Sequence, residues 1–142
     1  MLFPKKVKFR KWQTTRRNPN KKKIETRGLT LSFGSYGLKA QSPGRITSNQ
    51  IEASRRAASR YLGKTGRMWI RIFPDRPYTA KPAEVGMGKG KGDPQGYEVQ
   101  VFPGRILFEV DGMTEAMGRE ALRKAGAKLP IKVKIIAREE HD

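Results

Sequence analysis

Four glycines occupy alternate positions between Gly86 and Gly92, with methionine and lysines between them. Glycine loses more conformational freedom on folding than any other residue, so this spacing contributes little to a packed core. The glycines lie in the segment 74–96, which shows no helical or strand period. A connection of that length inside a compact domain is usually functional or disordered. The segment therefore predicts a long loop whose amides can closely approach a large ligand, with a floppy hairpin tip as the alternative.

The positive charge of the chain is concentrated in its first half. The 142 residues carry a net charge of +18, with 31 lysines and arginines against 13 acids. Residues 1–73 hold 19 of those bases and two acids, whereas residues 74–142 hold 12 bases and 11 acids. This polarisation predicts a polyanion bound on one side of a nearly neutral body: nucleic acid, an anionic membrane surface or an acidic protein.

Residues 1–28 have the composition of a basic arm. Eleven lysines and arginines are interleaved with Phe3, Phe9 and Trp12, and their mutual repulsion disfavours independent packing. We expect the arm to become ordered on RNA or DNA, with a solvated, disordered terminus as the alternative. It lacks the amphipathic period of a membrane-surface helix. The chain also shows no secretory signal and no apolar run near the ~18–20 residues that span a bilayer.

The clearest predicted element is a helix over residues 48–62. Thr47 and Gln50 have the spacing of a capping box, and Gly63 stands where a helix C′ residue is expected. One half of the helix is polar and predicts a cationic patch, with Arg55, Arg56 and Arg60 beside the single acid Glu52. A merely solvated face is the alternative reading of such a helix. Its place in the basic half of the chain favours the patch.

The remaining pattern predicts a compact single α+β domain over residues 29–137, with a mixed or largely antiparallel sheet, two packed helices and a polar tail at 138–142. Alternation and turn residues predict a second helix at 115–125 and strands at 29–33, 38–41, 68–73, 97–102, 105–110 and 131–137. We expect Pro103-Gly104 to join two of these strands as a hairpin, and Trp69 to dominate the core.

Few enzymatic chemistries are compatible with this composition. The chain has no cysteine and one histidine, His141, which excludes Ser-His-Asp and Cys-His catalysis and Cys- or His-rich metal sites. The loop matches neither the dinucleotide fingerprint nor the P-loop, because its lysines 89 and 91 are each followed by glycine. Glu109 and Asp111 share one face of a predicted strand and leave a metal-dependent nuclease as a less favoured alternative. We therefore expect that the chain is not an enzyme and that it has no cofactor, no metal site and no small-molecule substrate.

Eight short motifs, each weak alone, follow one another in order along the chain. They are Met1-Leu2-x-Pro4-Lys5, Lys8-Phe9-Arg10-Lys11, Ser32-Phe33-Gly34-Ser35-Tyr36-Gly37-Leu38, Ile46-Thr47 with Gln50-Ile51-Glu52-Ala53, Trp69-Ile70-Arg71-Ile72-Phe73-Pro74-Asp75, Met87-Gly88-Lys89-Gly90-Lys91-Gly92, Pro103-Gly104-Arg105 and Lys128-Leu129-Pro130-Ile131. With these motifs the chain resembles the bacterial-type L-sixteen family of large-ribosomal-subunit proteins.

The resemblance implies a structural constituent of the large ribosomal subunit that binds 23S ribosomal RNA near the peptidyl transferase centre and contacts aminoacyl-site transfer RNA. Peptidyl-site transfer RNA, the 5S ribosomal RNA region and neighbouring subunit proteins are further candidate partners, in the cytoplasm or in an organelle stroma or matrix. The implied ribosomal RNA contacts are Lys5, Lys6, Lys8, Arg10, Lys11, Arg16, Arg17, Arg45, Arg55, Arg56 and Arg60. The implied residues facing transfer RNA and the peptidyl transferase centre are Lys81, Met87, Gly88, Lys89, Gly90 and Lys91.

Two features depart from the family pattern. Many bacterial members have an arginine at the position of Gly86, hydroxylated in some, and that modification cannot occur here. Residues 13–27 also diverge and add the cluster Lys21-Lys22-Lys23. Without the resemblance, the charge pattern also fits an ancillary RNA- or DNA-binding protein with an assembly or architectural role.

Overall fold

The computed structural model describes residues 2–6, 25–80 and 93–138 of the chain. Within them lie seven strands and two helices. In chain order these are β1 (Tyr36–Ala40), β2 (Gly44–Thr47), α1 (Ser48–Ser59), β3 (Arg67–Ile70), β4 (Arg76–Ala80), β5 (Asp93–Val101), β6 (Ile106–Asp111), α2 (Glu115–Gly126) and β7 (Val133–Ala137). The predicted α+β class is confirmed.

The strands pair antiparallel, as predicted, and are divided between two sheets. One sheet has the order β3-β6-β1-β7 and the other the order β2-β5-β4. Because β5 and β6 lie in different sheets, the predicted hairpin at Pro103-Gly104 is wrong. The connecting residues bond instead to β1, since the Gly104 amide donates to the Ala40 carbonyl at 2.9 Å and the Ala40 amide donates to the Arg105 carbonyl at 2.8 Å. A Pro-Gly pair predicts a turn but does not specify whether the strands on either side of it pair with each other.

Both helices begin where their capping residues predict. The Thr47 hydroxyl accepts from the Gln50 amide at 3.3 Å, and the Thr47 amide donates to the Gln50 side chain at 2.9 Å, which completes the capping box. α1 ends at Ser59 rather than at residue 62, and Gly63, with φ of +66°, lies in the turns that follow. Thr114 caps α2 through its side chain.

α2 packs on one face of the four-stranded sheet, and α1 packs against α2 and against β2 and β5 of the other sheet. Leu38 of β1, Phe108 and Val110 of β6, and Leu122 of α2 are completely buried there. Trp69 pairs in register with residue 109, so it points to the opposite face of the sheet from Phe108 and is only half-buried. The expectation that Trp69 dominates the core is therefore wrong, and Phe108 is the largest fully buried side chain among the described residues.

The opposite face of the four-stranded sheet is crossed by residues 29–35, which we call the strap. The strand predicted at 29–33 is wrong, because the amides of residues 32–34 donate to the carboxylate of Glu109 rather than to a neighbouring strand. The strap lies directly on the sheet: a Cβ added at Gly37 would come within 2.3 Å of the Leu31 side chain. Glycine at this position of β1 therefore permits the close approach.

The segment 74–96 contains more regular structure than its sequence predicts. β4 and β5 pair antiparallel from Arg76 opposite Glu98 to Ala80 opposite Asp93, so the prediction of an irregular loop is wrong at both ends of the segment. Prolines 77 and 94 and Gly96 obscure these strands, since both residue types are depleted in sheets. Residues 81–92, with the alternating glycines, lie outside the described residues.

Candidate nucleic-acid interface

The start of the basic arm is attached to the body and exposes its lysines. Leu2 packs against the hydrophobic core, and the Phe3 ring meets the Tyr97 ring edge-on, with centroids 6.0 Å apart. Lys5 and Lys6 are exposed. The other predicted RNA contacts in the arm lie outside the described residues: Lys8, Arg10, Lys11, Arg16 and Arg17.

The far end of the arm is attached close to its start. Arg105 Nη1 lies 3.3 Å from a Glu25 carboxylate oxygen, and the Glu25 amide donates to the Pro103 carbonyl at 3.2 Å. Gly28 accepts a backbone hydrogen bond from Ile106 at 2.7 Å. Leu2 lines the same shallow cavity as Arg105, so both described ends of the arm meet on the body near that arginine.

The predicted arginine patch on α1 is present and is organised around one acid. Glu52 Oε1 lies 2.5 Å from Arg55 Nη2 and 3.3 Å from Arg56 Nε. The hydrogen bond from Arg55 lowers the pKa of Glu52 to about 2, so this carboxylate is ionised at neutral pH. Arg56 leaves 76% of its side chain exposed. Arg60 is exposed and has no acidic partner among the residues that the structure describes. Three guanidiniums against one carboxylate leave the patch cationic.

A second arginine cluster lies on the three-stranded sheet and includes one residue that sequence analysis missed. Glu98 of β5 is buried, and its Oε1 lies 3.8 Å from Arg45 Nη1 and 4.0 Å from Arg76 Nε. Arg76 also donates to the Gln100 side chain at 3.2 Å. Burial lowers the pKa of Arg76, and the neighbouring Arg45 cation lowers it further, against the opposing effect of Glu98. Pairing of β2 and β4 with β5 brings the cluster together, a signal that separate sequence segments do not carry.

The arginine patch and the base of the glycine-rich loop belong to one continuous piece of structure. β2 ends at Thr47 and α1 begins at Ser48, with no residue between them. β2 pairs with β5, and β5 pairs with β4, the two strands joined by residues 81–92. The predicted loop contacts themselves lie outside the described residues: Lys81, Met87, Gly88, Lys89, Gly90 and Lys91.

Glu109, which the sequence left open as a nuclease carboxylate, holds the strap. It is completely buried; one of its oxygens lies 2.5 Å from Arg71 Nη1, and the other accepts from the strap amides at 2.8, 3.0 and 3.2 Å. Burial raises the pKa of Glu109, but the hydrogen bonds from Arg71 and from the strap outweigh this effect and keep the pKa below its ordinary value. Asp111 accepts from the Ser35 hydroxyl at 2.8 Å. Both carboxylates therefore have structural partners.

Residues 2–6, 25–80 and 93–138 contain no group of three or more acids or histidines able to hold a metal ion. In the same ranges, no helix has the length and apolar character needed to cross a membrane.

A cluster that sequence analysis did not assign to any function lies where the strap crosses β3. The Phe33 ring stacks on Trp69 with an interplanar angle of 19° and a centroid distance of 5.8 Å. The guanidinium carbon of Arg71 lies 5.4 Å from the centroid of the same ring. Trp69 and Arg71 are two residues apart, the spacing that places side chains on one side of a strand, but nothing in the sequence indicates that Phe33 covers them.

Comparison with known proteins identifies the family. The family model described as ribosomal protein L16p/L10e matches residues 4–136. The large ribosomal subunit protein uL16 of Afipia carboxidovorans is 54% identical over 138 residues, which cover 97% of this chain and 98% of the relative. The uL16 proteins of Maricaulis maris and Zymomonas mobilis are each 55% identical, covering 97% of this chain and 98% and 94% of the relatives. The chain therefore belongs to the L16p/L10e family of ribosomal proteins, whose members are structural components of the ribosome and not enzymes.

Proposed function

We propose that this constituent of the large ribosomal subunit binds 23S ribosomal RNA near the peptidyl transferase centre and contacts aminoacyl-site transfer RNA. In this proposal the basic arm, Arg45 and the arginine patch of α1 bind ribosomal RNA. The loop between β4 and β5 extends toward the transfer RNA and the catalytic centre. Peptidyl-site transfer RNA, the 5S ribosomal RNA region and neighbouring subunit proteins are its further proposed partners, and the protein acts on cytoplasmic ribosomes.

The observation that carries the proposal is the contrast between the two helices. On α2, Arg119 and Arg123 each lie beside a glutamate, with nitrogen–oxygen distances of 3.0 and 2.7 Å. On α1, Glu52 is the only acid and forms ion pairs with both Arg55 and Arg56, and Arg60 adds a further exposed cation. The two helices pack against each other. α2 has three bases against two acids, whereas α1 and its cap Arg60 have three bases against one acid, so the larger excess of positive charge lies on the α1 side of the helical layer. A polyanion would distinguish these two sides.

Phosphate neutralisation supplies the proposed affinity. Each duplex phosphate that a lysine or arginine neutralises releases counterions, which contributes about −0.9 to the slope of log affinity against log salt concentration. Folded RNA hides the base edges of its deep major groove, so backbone and shape dominate recognition. Glu52 contributes by holding Arg55 and Arg56 in a fixed arrangement, which reduces the side-chain entropy lost when they meet phosphates.

The proposed role of the loop follows from its support. Residues 81–92 connect the paired ends of β4 and β5, where Ala80 lies opposite Asp93. A paired strand base fixes where the loop begins, and the alternating glycines allow its backbone to approach RNA closely. Lys89 and Lys91 supply the charges that would meet phosphates.

The α1 patch is tested by replacing Arg55, Arg56 and Arg60 with alanine and measuring affinity for 23S ribosomal RNA fragments from 50 to 300 mM salt. We expect weaker binding and a salt slope shallower by up to about 2.7, because up to three phosphate contacts, each worth about 0.9, are lost. The matched control replaces Arg119, Arg123 and Lys124 of α2 with alanine and should leave the slope nearly unchanged. Equal effects of the two triple variants would contradict the assignment to α1.

The loop is tested by deleting residues 86–92 and assaying large subunits that carry the variant. We expect the variant to fold and to enter subunits, and transfer RNA accommodation at the aminoacyl site to be impaired. Normal accommodation would refute the proposed role of the loop. Release of the intact protein from subunits washed at high salt would instead indicate an ancillary RNA-binding factor.

A further inference from the structure

The Phe33 ring is held firmly and nevertheless remains exposed. The Trp69 ring centroid lies 5.8 Å from the Phe33 ring centroid, and the guanidinium carbon of Arg71 lies 5.4 Å from it. These two residues project from the same side of one chain segment, so they approach the ring from the sheet side. Phe33 is still 55% exposed. More than half of the Phe33 surface is therefore accessible to a partner.

The backbone beneath the ring is equally well fixed. The Phe33 amide donates to Glu109 at 3.0 Å, between two flanking amides that donate to the same oxygen. The other Glu109 oxygen receives Arg71, the residue that also lies against the ring. One buried carboxylate thus positions both the phenylalanine and its cationic neighbour. Such preorganisation reduces the ordering cost that a bound partner would otherwise impose.

The surroundings of the ring are cationic, which identifies the chemistry of the partner. Arg67 precedes Trp69 by two residues on β3 and is exposed. Arg138 is exposed at the other end of the strap, where its amide donates to the Ser35 carbonyl at 2.8 Å. Asp111 lies opposite Arg67 in the strand register; it accepts from the Ser35 hydroxyl, and its charge also interacts with Arg138. The charged groups around the strap are therefore three arginines, at 67, 71 and 138, against the carboxylates of Glu109 and Asp111. An aromatic face bordered by arginines suits a base joined to phosphates, since stacking and charge neutralisation then act together.

We propose that Phe33 is a stacking platform for one unpaired base of ribosomal RNA, with Trp69 and Arg71 supporting the ring and Arg67 placed to meet an adjacent phosphate. The inference rests on the proposed binding of ribosomal RNA and adds a contact on the sheet face, away from the α1 patch. It concerns stacking, which tolerates any base, and it makes no claim about base-edge recognition.

The test uses large subunits depleted of this protein and rebuilt with the full chain carrying F33A, F33L, F33W or no substitution. F33L keeps an apolar side chain without an aromatic face, and F33W restores that face. The matched control is F73A, since Phe73 is 45% exposed but does not stack on Trp69. Two quantities are measured: the affinity for the depleted subunits, and the reactivity of every 23S ribose toward a 2′-hydroxyl acylating reagent.

We expect F33A and F33L to weaken binding by roughly fivefold to a hundredfold, the range found when one base-stacking aromatic is removed. The same variants should raise the reactivity of one nucleotide or of a few adjacent ones, whereas F33W and F73A leave the profile unchanged. Unchanged reactivity across 23S RNA with F33A present in the particle would overturn the inference. Weaker binding without any change in RNA reactivity would also overturn it, and would indicate a protein contact. Failure of the unsubstituted chain to bind the depleted subunits would refute the proposed function itself.

Discussion

Replacing Glu109 with glutamine should destabilise the domain more than any surface ion pair could. The carboxylate receives Arg71 and three strap amides from a position with no solvent exposure. Glutamine has nearly the same shape and keeps one oxygen acceptor, so the substitution removes the charge while creating almost no cavity. The expected loss therefore measures the electrostatic part of the interaction.

The size of the effect follows from the four hydrogen bonds. If the glutamine oxygen faces the strap, its amino group faces Arg71. The hydrogen bond to that cation is then lost, which lowers the unfolding free energy by about 1.5–3 kcal/mol. The strap amides then donate to a neutral oxygen, and charge-assisted bonds are roughly twice as strong as neutral ones, which we take as about 1 kcal/mol more. The total of about 3 kcal/mol should lower the melting temperature by roughly 12 °C for a domain of this size.

The assay is urea and thermal unfolding of the RNA-free protein, followed by circular dichroism. E120Q is the matched control, because Glu120 makes the same type of pair with Arg123 at 2.7 Å on the exposed surface of α2. Exposed pairs contribute little, so E120Q should change the unfolding free energy by less than about 0.5 kcal/mol. If E109Q and E120Q are equally stable, Glu109 does not hold the strap as described here.

Three further predictions follow from the described contacts. Stability should fall as the pH drops below about 4.5. The pKa of Glu109 is lower in the folded state than in the unfolded chain, so its contribution to stability is complete above the unfolded-state pKa and is lost as the pH falls through the folded-state pKa. Acid titration of E109Q should show a smaller loss of stability. T47A removes the hydroxyl of the capping box and should lower the unfolding free energy by about 1 kcal/mol, measured in urea, whereas restoration by T47S would confirm the cap. F108A empties the largest buried side-chain position and should cost about 3–5 kcal/mol by the same measurement; a loss below 1 kcal/mol would contradict the described core.

The helices were predictable because their signals are local. Thr47, Gln50 and Thr114 satisfy backbone groups within one turn of their own positions, so the sequence contains both partners of each contact. β6 was predictable as a strand for the same reason, since it is a short, largely apolar run that follows a Pro-Gly turn signal and is buried on both faces. Only the end of α1 shifted, from residue 62 to Ser59.

The errors arose where distant segments decide the structure. The hairpin at residues 97–110 failed because its two strands pair with β2 and β1 instead of with each other. The strand predicted at residues 29–33 was wrong because the amides of the strap donate hydrogen bonds to Glu109, which is more than 70 residues away. Arg76 and Phe33 were missed as site residues because their neighbours, Glu98 and Trp69, come from other strands. All the predicted RNA contacts stay predictions, those at residues 5, 6, 45, 55, 56 and 60 as well as those at residues 81, 87–91 and in the rest of the arm.

The junction between β2 and α1 has a mechanical consequence. Thr47 is both the last residue of the strand and the cap of the helix, so no linker residue separates the three-stranded sheet from the helix that carries Arg55 and Arg56. A rotation of the helix relative to the sheet would require the reciprocal hydrogen bonds between Thr47 and Gln50 to break. A surface that binds the helix therefore also fixes the position of the paired strand ends, Ala80 and Asp93, between which residues 81–92 run.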